Sequence, residues 1–137
     1  MEESNDQDCI TSLEIFAERQ NTDMHEMGVM LNIVDQVDEI ARENQVKKIH
    51  TLTLEIGALT GVMPEYMNAC WDAIQEQYEL FASADLNIVE IAGLGTCNRC
   101  GKIFDLVERN GVCPFCGESS YRVISGDEVV IRDIAVE

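Results

Sequence analysis

From Met27 to Ala41 apolar residues recur every three or four positions: Met27, Met30, Leu31, Val34, Val37, Ile40 and Ala41, with Asp35, Gln36, Asp38, Glu39 and Arg42 between them. This spacing predicts an amphipathic helix ending near Asn44. The period then changes. In I-H-T-L-T-L-E-I (Ile49–Ile56), Leu52, Leu54 and Ile56 share one side while Thr51, Thr53 and Glu55 share the other. That is the alternation of a half-buried strand, stopped at Gly57. The loop Ala58–Met63 runs into Pro64, a natural first helical position, and Met67, Cys70, Trp71, Ile74, Tyr78 and Phe81 mark the apolar face of a second helix. Ala84–Ile91 reads as another strand, as does V-V-I-R-D-I-A-V within Tyr121–Val136. The expected fold class is α+β: two helices packed on a small mixed sheet, with a four-cysteine zinc-ribbon module inserted before the last strand.

Ahead of Met24 the periodicity is absent. Residues 1–23 carry seven acids and one base and read as an acidic, disordered leader. Ile10, Leu13, Ile15 and Phe16 give the span Cys9–Glu18 enough apolar content for one or two helical turns, marginal in isolation. The expected division is therefore a leader over 1–23, an α+β domain over 24–94 plus 122–137, and a ribbon domain over 95–121.

Composition narrows the partners. The chain has 26 acids against 9 bases, a formal charge of −17. Removing the leader still leaves −11, so the acidity is not only a tail. Such a surface repels phosphate backbones and anionic lipid and attracts cations or basic partners, which argues against nucleic acid and membrane as targets. No apolar run approaches the roughly 18 residues of a membrane span. The opening M-E-E-S-N-D-Q-D lacks the basic and apolar regions of a signal peptide, so a cytoplasmic location is expected. No nucleophile–base pair or phosphate loop stands out, and catalysis is not expected.

Four of the six cysteines fall into C-N-R-C-G (Cys97–Gly101) and C-P-F-C-G (Cys113–Gly117), separated by the stretch 101–112. Two residues between thiolates let one short turn aim both sulfurs at a single ion about 2.3 Å away, and a second such turn completes a tetrahedral site. Gly101 and Gly117 supply the left-handed backbone that such turns need. Phe104 and Leu106, followed by the turn R-N-G (Arg109–Gly111), suit a hairpin between the knuckles. About 25 residues cannot bury enough core to fold alone, so the metal would supply folding free energy. Structural Zn(II) on Cys97, Cys100, Cys113 and Cys116 is the favoured reading, and iron at the same four thiolates is geometrically possible. Four bases against three acids over Cys97–Arg122 do not make a phosphate-binding surface.

The stretch T-D-M-H-E-M-G (Thr22–Gly28) holds one of two histidines. Asp23 as N-cap with Glu26 three residues later is a capping-box pattern, which would leave His25 a solvated helix-start residue. Alternatively His25 is a metal ligand. Imidazole suits Ni(II), Cu(II) and Zn(II), but a helix N-terminus repels cations, so anionic donors such as Glu26, Asp23 or deprotonated amides would be required. His50, near a strand end in phase with Leu52 and Leu54, reads as a core-edge residue.

Taken together, M-H-E-M-G at a helix head, then L-T-L-E-I-G-A-L-T-G-V-M-P-E (Leu52–Glu65), then the two C-x-x-C knuckles resemble the HypA/HybF family of hydrogenase nickel-insertion proteins over Met24–Glu137. The resemblance implies a metallochaperone carrying Ni(II) as exchangeable cargo and Zn(II) as a structural metal. It implies delivery of nickel to the large-subunit precursor of nickel-iron hydrogenase, with a HypB-type GTPase as partner and urease accessory proteins as further partners. Carried over residue by residue, His25 is the nickel ligand, Glu26 its affinity-tuning neighbour or second ligand, and the four cysteines hold zinc. In the family the methionine of M-H-E is normally the first residue and its amine joins the nickel set. Met24 fills that role only if the chain starts there, since a chain starting at Met1 has an amide at this point. A loop position commonly acidic in relatives corresponds to Met63 here, with Glu65 nearby. The rival reading is a non-catalytic zinc-ribbon interaction module in which His25 binds nothing.

Overall fold

The computed structural model describes the backbone of residues 11–13 and 18–19 and the whole of residues 26–136. Its centre is β3 (Ile49–Gly57), where alternation buries Leu52, Leu54 and Ile56 almost completely and leaves Thr51, Thr53 and Glu55 half-buried. On one side β3 pairs in parallel with β4 (Asp85–Ile91), and on the other antiparallel with β8 (Val129–Val136). A parallel pair needs a crossover. The crossover is α2 (Pro64–Gln77) followed by a 3₁₀ turn at Glu79–Phe81. The first helix, α1 (Glu26–Glu43), buries Val29, Met30, Ile33, Val34, Val37 and Ala41. Five of these join Met67, Trp71 and Ile74 of α2 over the apolar face of β3 and β8 in one cluster. Two helices on one face of a mixed sheet is the layering that the periodicity predicts.

Two details differ from the expected pattern. Helix α2 ends at Gln77, so Phe81 belongs not to its apolar face but to the 3₁₀ turn, from which it reaches the core fully buried. Its ring packs edge-on against Trp71 at 5.2 Å and Tyr78 at 6.2 Å, and the Gln75 amide donates to the carbonyls of Phe81 and Ala84. Helical spacing continued by three residues, but the buried aromatic cluster decides the geometry. The second difference precedes the helices. Thr11–Leu13 (β1) and Glu18–Arg19 (β2) are strands paired antiparallel with the outer edge of β8. Within Cys9–Glu18, where a helical turn was allowed, the described residues are therefore extended, and the other positions of that span lie outside the described residues.

Between β4 and β8 the chain forms a second sheet, antiparallel in the order β6 (Ile103–Asp105), β5 (Leu94–Cys97), β7 (Tyr121–Ser125). The predicted hairpin is displaced. Phe104 pairs with Gly95 across the first knuckle, not with a strand between the knuckles, and the segment after Asp105 turns back with Asn110 and Gly111 at positive φ. Gly111 donates to the Leu106 carbonyl to close that turn.

The two sheets meet through backbone. A Cβ on Gly57 would lie 2.2 Å from the Gly126 carbonyl oxygen, and one on Gly126, itself at φ +87°, would lie 2.5 Å from the Ala92 carbonyl oxygen. Around this contact Gly57 donates to Glu128, Ala58 to Ile91 and Leu59 to Gly126. No side chain fits here, and the contact cannot be relieved by rotating a flexible neighbour. Gly57→Ala is accordingly expected to lower the unfolding free energy by about 1–3 kcal/mol, the cost of overpacking a tight site; a urea titration followed by tryptophan fluorescence measures it.

Candidate metal centres

The two knuckles are built alike. In the first, Cys97 accepts from Gly101 at its carbonyl and donates its own amide to Lys102; in the second, Cys113 accepts from Gly117 and donates to Glu118. Gly101 and Gly117 both stand at φ +79°. The Asn98 amide donates to the Ser120 carbonyl and its side-chain nitrogen to Ser120 Oγ at 2.7 Å, fastening the first knuckle to the chain that follows the second.

The four sulfurs of Cys97, Cys100, Cys113 and Cys116 all lie within 4.8 Å of one another. Two approaches cross between the knuckles, Cys97 to Cys116 at 3.5 Å and Cys100 to Cys113 at 3.6 Å. A tetrahedron with arms of 2.3 Å has edges of about 3.8 Å. The donor set thus fits one tetrahedral ion with all four positions filled by protein. Cys97 and Cys113 are buried, and with Phe104 and Leu106 they form a small core of their own, against which Leu59 packs from the loop after β3.

The turns also prepare the sulfurs electrically. The amide of Cys100 brings the Cys97 thiol down to about 6, helped by that of Arg99 against the opposing effect of burial. At Cys113 burial pushes up, but the amides of Phe115 and Cys116 outweigh it and the thiol is lowered. Cys116 goes the other way: the Glu118 amide lowers it, but burial and the three neighbouring sulfurs push it up to about 12. A proton held on Cys116 beside a lowered Cys97 is the uneven sharing that closely spaced thiols require in the absence of a cation.

The second predicted site is described only in part. Met24 and His25, like Asp23, lie outside the described residues. Glu26 opens α1, and its Oε2 accepts from the Met63 amide at 3.1 Å. Met63 is the N-cap of α2, with Pro64 at the first helical position and no side-chain cap of its own. The carboxylate thus supplies negative charge and an acceptor where a helix N-terminus needs both. The Met63 side chain is partly exposed beside it. Cys70, on the same helix, is half-buried against the core, and burial first and the Glu26 carboxylate second push its thiol up. His50 is half-buried with Nδ1 2.8 Å from Thr51 Oγ1, at the opposite end of β3 from Gly57. A cavity of about 240 Å³ near the glycine contact, lined by Glu55, Asp127 and Glu128 among others, includes none of the expected ligands. The sequence reading missed the bond from Glu26 to Met63 and the contact of Leu59 with the ribbon. Their only signal was the glycine-punctuated loop that carries both residues.

A family model described as hydrogenase/urease nickel incorporation, metallochaperone, hypA matches residues 24–136. The chain belongs to the HypA family. It is 39% identical to the hydrogenase maturation factor HypA of Rhizobium leguminosarum bv. viciae over 113 residues, covering 82% of this chain and 99% of that one. It is 40% identical to HypA of Chlorobium limicola over 114 residues, covering 83% and 97%. Among solved structures, the nickel metallochaperone HypA from Helicobacter pylori aligns with a TM-score of 0.57 at 23% identity, covering 80% of this chain and 96% of that one, which establishes the shared fold. A further HypA solution structure aligns with a TM-score of 0.60 at 22% identity over 83% and 97%. As a member of this family, the chain is a nickel metallochaperone of hydrogenase maturation, a carrier and not a catalyst. Its described residues include a four-cysteine metal site, and none of its described helices is long and apolar enough to cross a membrane.

Metal uptake at the cysteines should release fewer than one proton per sulfur at neutral pH, because Cys97 is already ionised above about 6 whereas Cys116 gives up its proton only to the metal. Calorimetric titration in buffers of different ionisation enthalpy reads this number. Cys113→Ser should abolish tight binding and expose the amides of 94–125 to hydrogen exchange, leaving α1 and β3 protected because their core is separate.

Proposed function

We propose that this chain binds one Ni(II) at the head of α1 through His25, with Glu26 as neighbouring or second ligand, and passes it to the large-subunit precursor of nickel-iron hydrogenase. A HypB-type GTPase assists, and urease accessory proteins are further partners. Zn(II) is the resident ion of Cys97, Cys100, Cys113 and Cys116, and residues 95–121 form a ribbon domain distinct from the nickel-binding domain of 24–94 plus 122–137. What supports this reading is one short loop. Between Gly57 and Pro64 it reaches the ribbon core through Leu59 and receives the Glu26 carboxylate at Met63, so the head of α1 and the ribbon share a connector.

The two metals call for opposite designs. The thiolate cage closes every coordination position, which suits an ion that stays. A carrier has to let its ion go, and a site assembled from one imidazole, an anionic neighbour and backbone nitrogen at a chain or helix start leaves room for a competing donor. Glu26 offsets the repulsion between the positive end of α1 and a cation. Met24 contributes its amine in a chain that starts there, where the family match also opens; in a chain that starts at Met1 an amide stands in its place. That amide must lose a proton before it can bind a metal, so the longer chain should hold nickel more weakly at neutral pH.

Nickel titration of zinc-loaded protein is the test. His25→Ala should remove the nickel absorption bands with zinc content unchanged at one ion per chain, and a chain beginning at Met24 should bind more tightly than the full chain. Unchanged nickel stoichiometry and affinity in His25→Ala would sink the assignment and leave the ribbon as an interaction module. Colour and reversible reduction of the cysteine site would replace zinc with iron.

A further inference from the structure

Strand β8 has two edges. One pairs with β3; the other is occupied by Thr11–Leu13 and Glu18–Arg19, in register Thr11 to Val136, Leu13 to Ile134, Glu18 to Ile131 and Arg19 to Val130. Both occupying strands precede residue 24, outside the span that matches the family. Without them, the outer edge of β8 would present unpaired amides and carbonyls, a template for another strand.

The sequence of β8 says which strand would fit. V-V-I-R-D-I-A-V is its own complement about Arg132–Asp133. Laid antiparallel across a two-fold axis, it sets Val129 opposite Val136, Val130 opposite Ala135, Ile131 opposite Ile134, and Arg132 opposite Asp133. The faces agree as well. Against β3, Val129 stands by Ile56, Ile131 by Leu54, Ile134 by Leu52 and Val136 by Ile49, so all four turn to the core. They remain in phase because the register shifts by one residue between Ile131 and Asp133. A two-fold pairing therefore matches buried positions with buried positions and places exposed Arg132 against the opposite charge of Asp133. The intramolecular strands break at the same point: four residues separate Leu13 from Glu18 where two separate Ile131 from Ile134. Pairing in two blocks around Arg132–Asp133 is thus how this edge already accepts an antiparallel strand.

We propose that the outer edge of β8 is a self-complementary interface for a second copy of this chain, held closed within the molecule by Thr11–Leu13 and Glu18–Arg19. The isologous arrangement follows from the symmetry of the strand itself.

Sedimentation velocity on zinc-loaded protein tests it. The full chain should be monomeric, and the chain beginning at Met24 should dimerise at high micromolar concentration. In that shorter chain, Asp133→Arg sets like charges across the axis and should weaken the dimer about tenfold, and the exchange Arg132→Asp with Asp133→Arg should restore it. Because shortening could also impair folding, a full-length variant carrying Thr11→Pro, Ser12→Pro, Leu13→Pro, Glu18→Pro and Arg19→Pro, which cannot supply the strand donors, should dimerise likewise. A monomeric result for both opened chains, a dimer indifferent to Asp133→Arg, or an equally dimeric full chain would overturn the proposal.

Discussion

The backbone of Gly57 lies on the backbone of Gly126, and neither position has room for a side chain. Gly57 is the last residue of the central strand, and Gly126 lies where the ribbon returns to the sheet. Because the contact is backbone on backbone, the hydrogen bonds around it fix three segments at once: the exit of β4, the entry of β8 and the loop that leaves β3. That loop then reaches Leu59 on the ribbon side and Met63 on the side of α1. The geometry of both metal-related regions is therefore referred to a single close approach of main chain.

What the chain's pattern disclosed follows from how local each cause is. Helix α1, strand β3 and the start of α2 are written in periodicity and in Pro64, and they stand where expected. The knuckles are legible because metal ligation demands a fixed spacing, whatever surrounds it. The departures come from tertiary partners. Ile103–Asp105 pairs backward across the knuckle because β5, contributed from before Cys97, is the available edge. Short strands such as Thr11–Leu13 and Glu18–Arg19 have too few residues to show alternation and exist only against β8. At the head of α1 the periodicity pointed no further than a capping box. The nickel role proposed for His25 rests on the resemblance of M-H-E-M-G and its companions to a family, and Glu26's partner lies 37 positions away, beyond any local pattern.

Charge and coordination would divide the labour between the two proposed metals. An acidic surface with a formal charge of −17 raises the local concentration of cations without choosing among them. Selection then falls to donor chemistry: four sulfurs at tetrahedral spacing favour a soft or borderline ion and retain it, while imidazole and amide nitrogen favour nickel or copper. The two regions rest on separate buried clusters.

The cross-knuckle sulfur approaches carry one more consequence. Close approaches join Cys97 to Cys116 and Cys100 to Cys113, and the lowered Cys97 thiol beside the raised Cys116 gives one of these pairs a ready nucleophile. An oxidant meeting the empty ribbon would thus stitch one knuckle to the other and preserve much of the ribbon's shape while removing its donors. A metal held by the four sulfurs would on this view also be a protecting group: it would keep the ribbon from being oxidised into a lookalike that can no longer take up metal.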